Sequence, residues 1–131
     1  MVLDTSSLVA ILSGEPEQQA FIRAIEQSDV RLVSAATLLE ASIVIETRYG
    51  VAGAHHLDRL LERAEVEVVP VDGEQASAAR AAWRRYGKGR HPAALNFGDC
   101  FSYALAVTRG EPLLFKGNDF SQTDVPVVPV T

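Results

Sequence analysis

The sequence predicts an α/β fold on a mainly parallel sheet, and three features of its patterning predict it. Short apolar runs of strand length alternate with longer segments of helical periodicity, as expected when each strand feeds a crossover helix. The chain has 131 residues, enough to bury one core without staples and too few for two ordinary domains. Its 47% hydrophobic and 22% charged residues are ordinary globular proportions, which sets aside fibrous and disordered classes.

Each element follows from local signals. Met1-Val2-Leu3 is a first strand that stops at Asp4, and Thr5-Ser6-Ser7 supplies capping hydroxyls for a helix carrying Leu8, Ile11 and Leu12. Ser13-Gly14 ends that helix, and Pro16 sits early in a second one with Ala20, Phe21, Ala24 and Ile25 on its apolar face. Val30 to Val33 reads as a second strand, and Ser34 caps a helix running to Tyr49 and closed by Gly50. A further helix spans about Ala52 to Ala64. Val66 to Val71 is a third strand, with Pro70 marking its end or an exposed edge. Asp72-Gly73 opens a helix bearing Ala76, Ala79, Ala82 and Trp83, and Gly87 to Pro92 is a basic loop. Asn96 or Gly98 precedes a helix that runs through Arg109 and ends at Gly110. Pro112 to Phe115 is a fourth strand, and the proline-broken Val125 to Val130 reads as an edge strand. With no repeat or linker, residues 1–131 form one domain.

Composition narrows the function classes. No run approaches the eighteen or so apolar residues of a membrane-spanning helix, so no membrane role is expected. Met1-Val2-Leu3-Asp4 lacks the basic start of a signal peptide. The single cysteine, Cys100, offers neither an internal disulfide nor a zinc cluster, and a reducing cytoplasm is the expected compartment. The net charge of −5 argues against a nucleic-acid partner at first sight, but phosphates respond to local patches. Arg80, Arg84, Arg85, Lys88 and Arg90 fall in a stretch with no acid between Gln75 and Gly98, and His91 follows. That run is either a solvated helix face or a guide for RNA.

Four carboxylates stand out. Asp4 ends the first strand, and in open parallel sheets the ligand crevice lies at the carboxyl ends of the strands; it equally suits a helix cap. Glu40 has Ala36, Thr37, Ile43 and Val44 as helical neighbours, so it either projects from an apolar face and needs a partner or snorkels past Thr37 and Thr47. Asp99 falls where a helix begins, as a site acid or a routine first-turn acid. Asp119 follows the fourth strand through Lys116-Gly117-Asn118, as a site acid or a turn residue. Four carboxylates meeting at one sheet edge would repel one another without a divalent cation, and oxygen-only ligands suit magnesium or manganese. Such an ion serves phosphate-ester hydrolysis.

Four segments carry a family resemblance that runs essentially end to end. Val2-Leu3-Asp4-Thr5-Ser6-Ser7-Leu8 resembles the opening of PIN-domain nucleases, and Ser34 to Ala41, containing Glu40, resembles their second motif. Leu95-Asn96-Phe97-Gly98-Asp99-Cys100-Phe101 looks like the third and most specific motif, and Pro112 to Phe120 is similar to the fourth. Order and spacing resemble those of small VapC-type toxins. The resemblance implies a three-layer α/β/α sandwich, Mg²⁺ or Mn²⁺ dependence and cleavage of single-stranded RNA. It also implies a homodimer and neutralisation by a VapB-type antitoxin. Carried over by motif, Asp4, Glu40 and Asp99 are the metal-binding acidic triad, and Asp119 is the fourth catalytic acid. Here the chain departs from many relatives, which have Thr at the strand end and an acid two places on, where this sequence has Phe115 and Gly117. Asn118 is then the polar substitute. Ser6 either orients Asp4 or a metal-bound water, or simply caps its helix.

Rival readings fit less of the chain. A haloacid-dehalogenase-like phosphatase needs an acid at position 6, where Ser6 stands. A receiver domain would use Asp4, Asp72 and Lys116 but leave Glu40 and Asp99 without a role. A serine hydrolase lacks its nucleophile elbow. The alternative from another class is a non-catalytic PIN-like protein that binds RNA or another protein. A partner segment is expected on the N-terminal helices and the Glu40 helix, sending an Arg or Lys to the acids.

Overall fold

The structure is a computed structural model describing residues Met1–Thr131. Four parallel strands, β1 (Val2–Leu3), β2 (Leu32–Ser34), β3 (Glu67–Val69) and β4 (Leu113–Leu114), lie in the order β3-β2-β1-β4. Helices α1 (Thr5–Leu12) and α2 (Gln18–Glu26) connect β1 to β2, α3 (Ala35–Arg63) connects β2 to β3, and α4 (Gly73–Tyr86) and α5 (Phe97–Arg109) connect β3 to β4. This is the three-layer α/β/α arrangement the sequence predicts.

The two-residue alternation of a strand explains the layers. Val2, Leu32 and Leu113 face one way into a core shared with Ala79, Ala82, Tyr86, Tyr103 and Ala104 of α4 and α5. Their chain neighbours Leu3, Val33 and Leu114 face the other way onto Leu8 and Ile11 of α1, Phe21 and Ile25 of α2, and Leu57 and Leu61 of α3. The chain steps from β1 to β2 on one side, while β4 joins β1 on the other. The carboxyl ends of β1 and β4 therefore frame the switch point at which such sheets bind ligands.

Several element boundaries differ from the expectation, each for a local reason. The two helices expected on either side of Gly50 run on as α3, broken only where Gly50 takes φ 69° and ψ −161°, a conformation that needs glycine. Pro16 lies in the turn ahead of α2 rather than inside it. Val125–Val130 forms no strand: Val127 makes a single parallel bridge to Leu113, and Pro126 and Pro129 cannot supply the N–H groups a longer ladder needs. No helix is long and apolar enough to cross a membrane.

Polar contacts pin this last segment instead. The Tyr103 hydroxyl donates to the Asp124 carboxylate, the Asp124 amide donates to the Tyr86 hydroxyl at 3.3 Å, and Arg85 pairs with Asp124 at 3.2 Å. Burial, and then the Asp124 contact, push the Tyr103 phenol up, while the Tyr103 hydrogen bond and the Arg85 charge hold Asp124 below its ordinary 3.8. A depressed carboxylate stabilises the fold above its unfolded value, and that contribution disappears as pH falls through the folded value. Asp124→Asn is therefore expected to lower the melting temperature by a few degrees at pH 7, roughly the effect of losing one partly exposed charged hydrogen bond. The gap between variant and parent should narrow as pH falls below the ordinary value of 3.8 and close once the folded carboxylate is protonated, as thermal melts across the acid range would show.

Candidate active site

β1 ends at Asp4, and its carboxylate is buried at 4% exposure. It survives there because donors surround it. Oδ2 accepts from the Ser6 amide at 3.0 Å and the Ser6 hydroxyl at 2.6 Å, and Oδ1 accepts from the Ser102 hydroxyl at 2.6 Å. Ser102 has one proton and gives it to Asp4, so Thr37, 3.2 Å away, is the donor to Ser102. The Lys116 amide in turn donates to the Ser6 oxygen at 3.0 Å, tying the segment after β4 to this network. Three donors occupy three of the four lone-pair sites of the carboxylate, leaving one on Oδ1. Asp4 is thus both the cap of α1 and a member of the site, and Ser6 both orients Asp4 and supplies the capping N–H.

Asp99 enters from the start of α5. Asn96 caps that helix by accepting the Asp99 amide at 2.9 Å, and Asp99 Oδ2 accepts the Asn96 amide at 3.0 Å, a reciprocal capping box. The other carboxylate oxygen is left to the cleft. Burial, joined by the charges of Asp4, Asp119 and Glu40, pushes the Asp99 carboxyl up to about 7, against the lowering effect of the Asn96 amide.

Glu40 comes from α3. The stripe it was expected to share is narrower than sequence suggests. Thr37, Ala41 and Ile45 are buried, whereas Ile43 is 58% exposed, so Glu40 stands at the lip of the apolar face. Its Oε1 accepts from the Thr5 hydroxyl, and its carboxylate lies against the first turn of α5, where the helix N-terminus favours an anion. The close approach explains Gly98. A Cβ there would sit 2.1 to 2.7 Å from the Glu40 carboxylate atoms. Gly98 is required for space, since its backbone is not in the left-handed region.

Asp4, Glu40 and Asp99 line one cleft of about 360 Å³ together with Thr5, Ser6, Asn96, Glu15, Lys116 and Arg48. Asp119 and Asn118 are exposed and outside that lining, although the Asp119 charge reaches Asp99. The four-residue detour after β4 carries them past the rim. Of the basic run, Arg80 and Lys88 line an adjacent groove, Arg90 stacks on Trp83, Arg84 is exposed, and Arg85 is turned away toward Asp124. Sequence reading missed Arg48. It lies two helical turns beyond Glu40, with Val44 between, so the i, i+4, i+8 row carried the signal. Lys116 is held by Glu15 at 3.4 Å and Glu17 at 3.2 Å, whereas Arg48 makes no ion pair.

The donors fit a hard divalent cation. They are all oxygens: Asp4 keeps one lone pair on Oδ1, and Asp99 and Glu40 each keep one carboxylate oxygen without a hydrogen-bond partner. No group of three such side chains is already drawn together around a point.

A carboxyl raised from 3.8 to about 7 costs stability as pH climbs, because the unfolded chain sheds its proton first. In chelator, Asp99→Asn should be flat where the parent weakens between about pH 4 and 7, and at pH 7 it should melt higher by roughly 3–5 °C. A variant that melts lower at every pH would make Asp99 a cap and nothing more.

Comparisons with known proteins speak to the fold and the family. The PIN domain family model matches residues 1–126. A protein named Ribonuclease VapC from Mycolicibacterium smegmatis is 57% identical over 98% of this chain and 99% of its own length. Ribonuclease VapC30 from Mycobacterium tuberculosis is 56% identical over 98% of each. Among solved structures, VapC20 from Mycobacterium tuberculosis, described as a sarcin–ricin loop cleaving toxin, superposes with a TM-score of 0.80 at 20% identity over 99% of this chain and 98% of that one. VapBC2 from Rickettsia felis, bound to a fragment of promoter DNA, gives 0.75 at 15% identity over 98% and 96%. At these identities the structures speak for the fold, and the sequence relatives for the family. The chain belongs to the PIN-domain family, and within it to the VapC-type ribonuclease toxins.

Proposed function

We propose that this toxin is an endoribonuclease that hydrolyses RNA phosphodiester bonds with Mg²⁺ or Mn²⁺ and is neutralised by a VapB-type antitoxin. The carrying observation is that Asp4, Glu40 and Asp99 line one cleft, where burial and the neighbouring carboxylates raise the Asp99 carboxyl. Asp4, Asp99 and Glu40 would hold the ion, which when bound supplies an acidified water and neutralises charge on the phosphodiester. The remaining work falls to the chain itself. Ser6 and Ser102 fix Asp4, Thr5 orients Glu40 so that its Oε2 faces α5, and the capping box fixes Asp99. Arg48, free of a carboxylate partner, is placed to hold a phosphate oxygen. Asp119 adds charge from the rim as the fourth acid, with Asn118 beside it.

The antitoxin and the homodimer are supported by apolar side chains left open on α3, Leu39 at 62% and Ile43 at 58% exposure, beside the acidic cleft. A partner segment there could send a cation to the carboxylates. Solved relatives of this fold include a toxin–antitoxin complex from Klebsiella pneumoniae, with a TM-score of 0.70.

Two experiments check the proposal. Purified parent protein should cut RNA only with Mg²⁺ or Mn²⁺, and Asp99→Asn should lose that cleavage. Either metal should also raise the melting temperature of the parent and leave the variant nearly unmoved. Equal metal shifts in both, with a variant that still cuts, would remove Asp99 from the site. A parent that binds RNA but never cuts it would favour the non-catalytic reading. Gly98→Ala separates position from stability. Alanine gains up to about 1 kcal/mol of helix propensity, and the atom it displaces is the end of a flexible side chain. The variant should melt as high as the parent while losing roughly 10- to 100-fold in cleavage rate as Glu40 shifts.

A further inference from the structure

Beside the carboxylate cleft runs a second groove of about 570 Å³ between α4 and α5 that the catalytic reading does not use. Its floor is Ala76, Ala79, Leu95 and Cys100, and its walls are Trp83 on one side and Phe97 with Phe101 on the other. The two hollows share Asn96, the cap of α5, so the groove opens on the cleft three residues from Asp99. Phe97 is 81% exposed and touches Phe101 only edge-to-face, at 4.9 Å between centroids. A phenyl ring so open buries little of its own surface, and with Phe101 and Trp83 it forms a contiguous exposed apolar patch rather than a lone exposed residue. The opposite wall is built with care: a Cβ at Gly87 would lie 2.5 Å from the Trp83 ring, and the Arg90 guanidinium covers that indole at 4.2 Å.

We propose that this groove is a nucleobase subsite, in which a base flanking the scissile phosphate of single-stranded RNA stacks on Phe97 while Arg80 and Lys88 hold the neighbouring phosphates. The inference rests on the ribonuclease reading and names how the same site grips its substrate. Aromatic platforms with a cationic rim are how single strands are bound without base-specific hydrogen bonds. Charge and position also argue for this occupant. The rim cations Arg80 and Lys88 complement a phosphate backbone, and the groove opens directly on the cleft in which the scissile phosphate would lie.

The test uses Asp99→Asn, so that RNA survives, and the only tryptophan of the chain as reporter. Hexa-adenylate RNA should quench Trp83 emission on binding. Phe97→Ala in that background should bind it roughly tenfold more weakly with an unchanged slope of affinity against salt, because no phosphate contact is lost. Phe97→Leu, which keeps an apolar side chain without a π-face, should behave like Phe97→Ala. Replacing Arg80 and Lys88 by Gln should instead flatten the salt slope. A hexanucleotide with an abasic position in the groove should bind both Phe97 forms alike. Affinity and quenching untouched by Phe97→Ala, or no binding of hexa-adenylate, would overturn the proposal. So would a change of oligomeric state on size exclusion with RNA affinity unchanged, which would make the groove a contact between copies. If the parent cuts RNA and these results fail, only the subsite is lost. If the parent cuts nothing yet hexa-adenylate binds as described, the subsite stands and the ribonuclease reading falls.

Discussion

Burying a carboxylate without partners costs several kcal/mol, and the placement of Asp4 at the end of β1 imposes that constraint on everything around it. Ser6 and Ser102 must present hydroxyls, Thr37 must orient Ser102, and the Lys116 amide must complete Ser6. These residues come from α1, α3, α5 and the segment after β4. The network thereby fixes how the helices sit over the switch point of the sheet. Stability and function use the same hydrogen bonds, because the side chains that make Asp4 tolerable also aim its remaining lone pair into the cleft.

The second constraint is electrostatic. Glu40 and Asp99 are brought to the N-terminal end of α5, which favours their charge, but burial and then the neighbouring carboxylates still push the Asp99 carboxyl up. The nearby cations are mostly engaged: Lys116, at the cleft itself, is held by two glutamates, and farther off Arg85 pairs with Asp124 and Arg90 covers Trp83. What remains is a small negative cleft beside a groove with a positive rim. A global charge of −5 conceals both, which is why net charge says little about a phosphate-binding partner.

Much of this was legible in the sequence where a local rule had no competitor. The strand stop at Asp4, the hydroxyl-rich opening of α1 and the Asn96–Asp99 box are short-range signals, and the structure shows each of them. Glu40 was found by its helical neighbours, but the width of its apolar face was not, because Ile43 faces outward by a margin that depends on where α1 and α5 pack. The role of Gly98 could not be read, since its need is steric and comes from a side chain 58 positions earlier. The basic run reads as one patch in sequence, yet α4 winds it around the helix, so that Arg85 and Arg80 serve different neighbours. The proline-broken C-terminal segment pairs only once with the sheet, because tertiary hydrogen bonds through Asp124 hold it in place of a ladder.

The central claim is that oxygen donors from three separated segments form one cation site at the end of β1. Crystals of the protein soaked in Mn²⁺ test it directly through anomalous scattering. A single strong peak within bonding distance of both Asp4 and Asp99, with Glu40 beside it, is the predicted result. Well-diffracting crystals with Mn²⁺ bound elsewhere and no peak in this cleft would contradict the account.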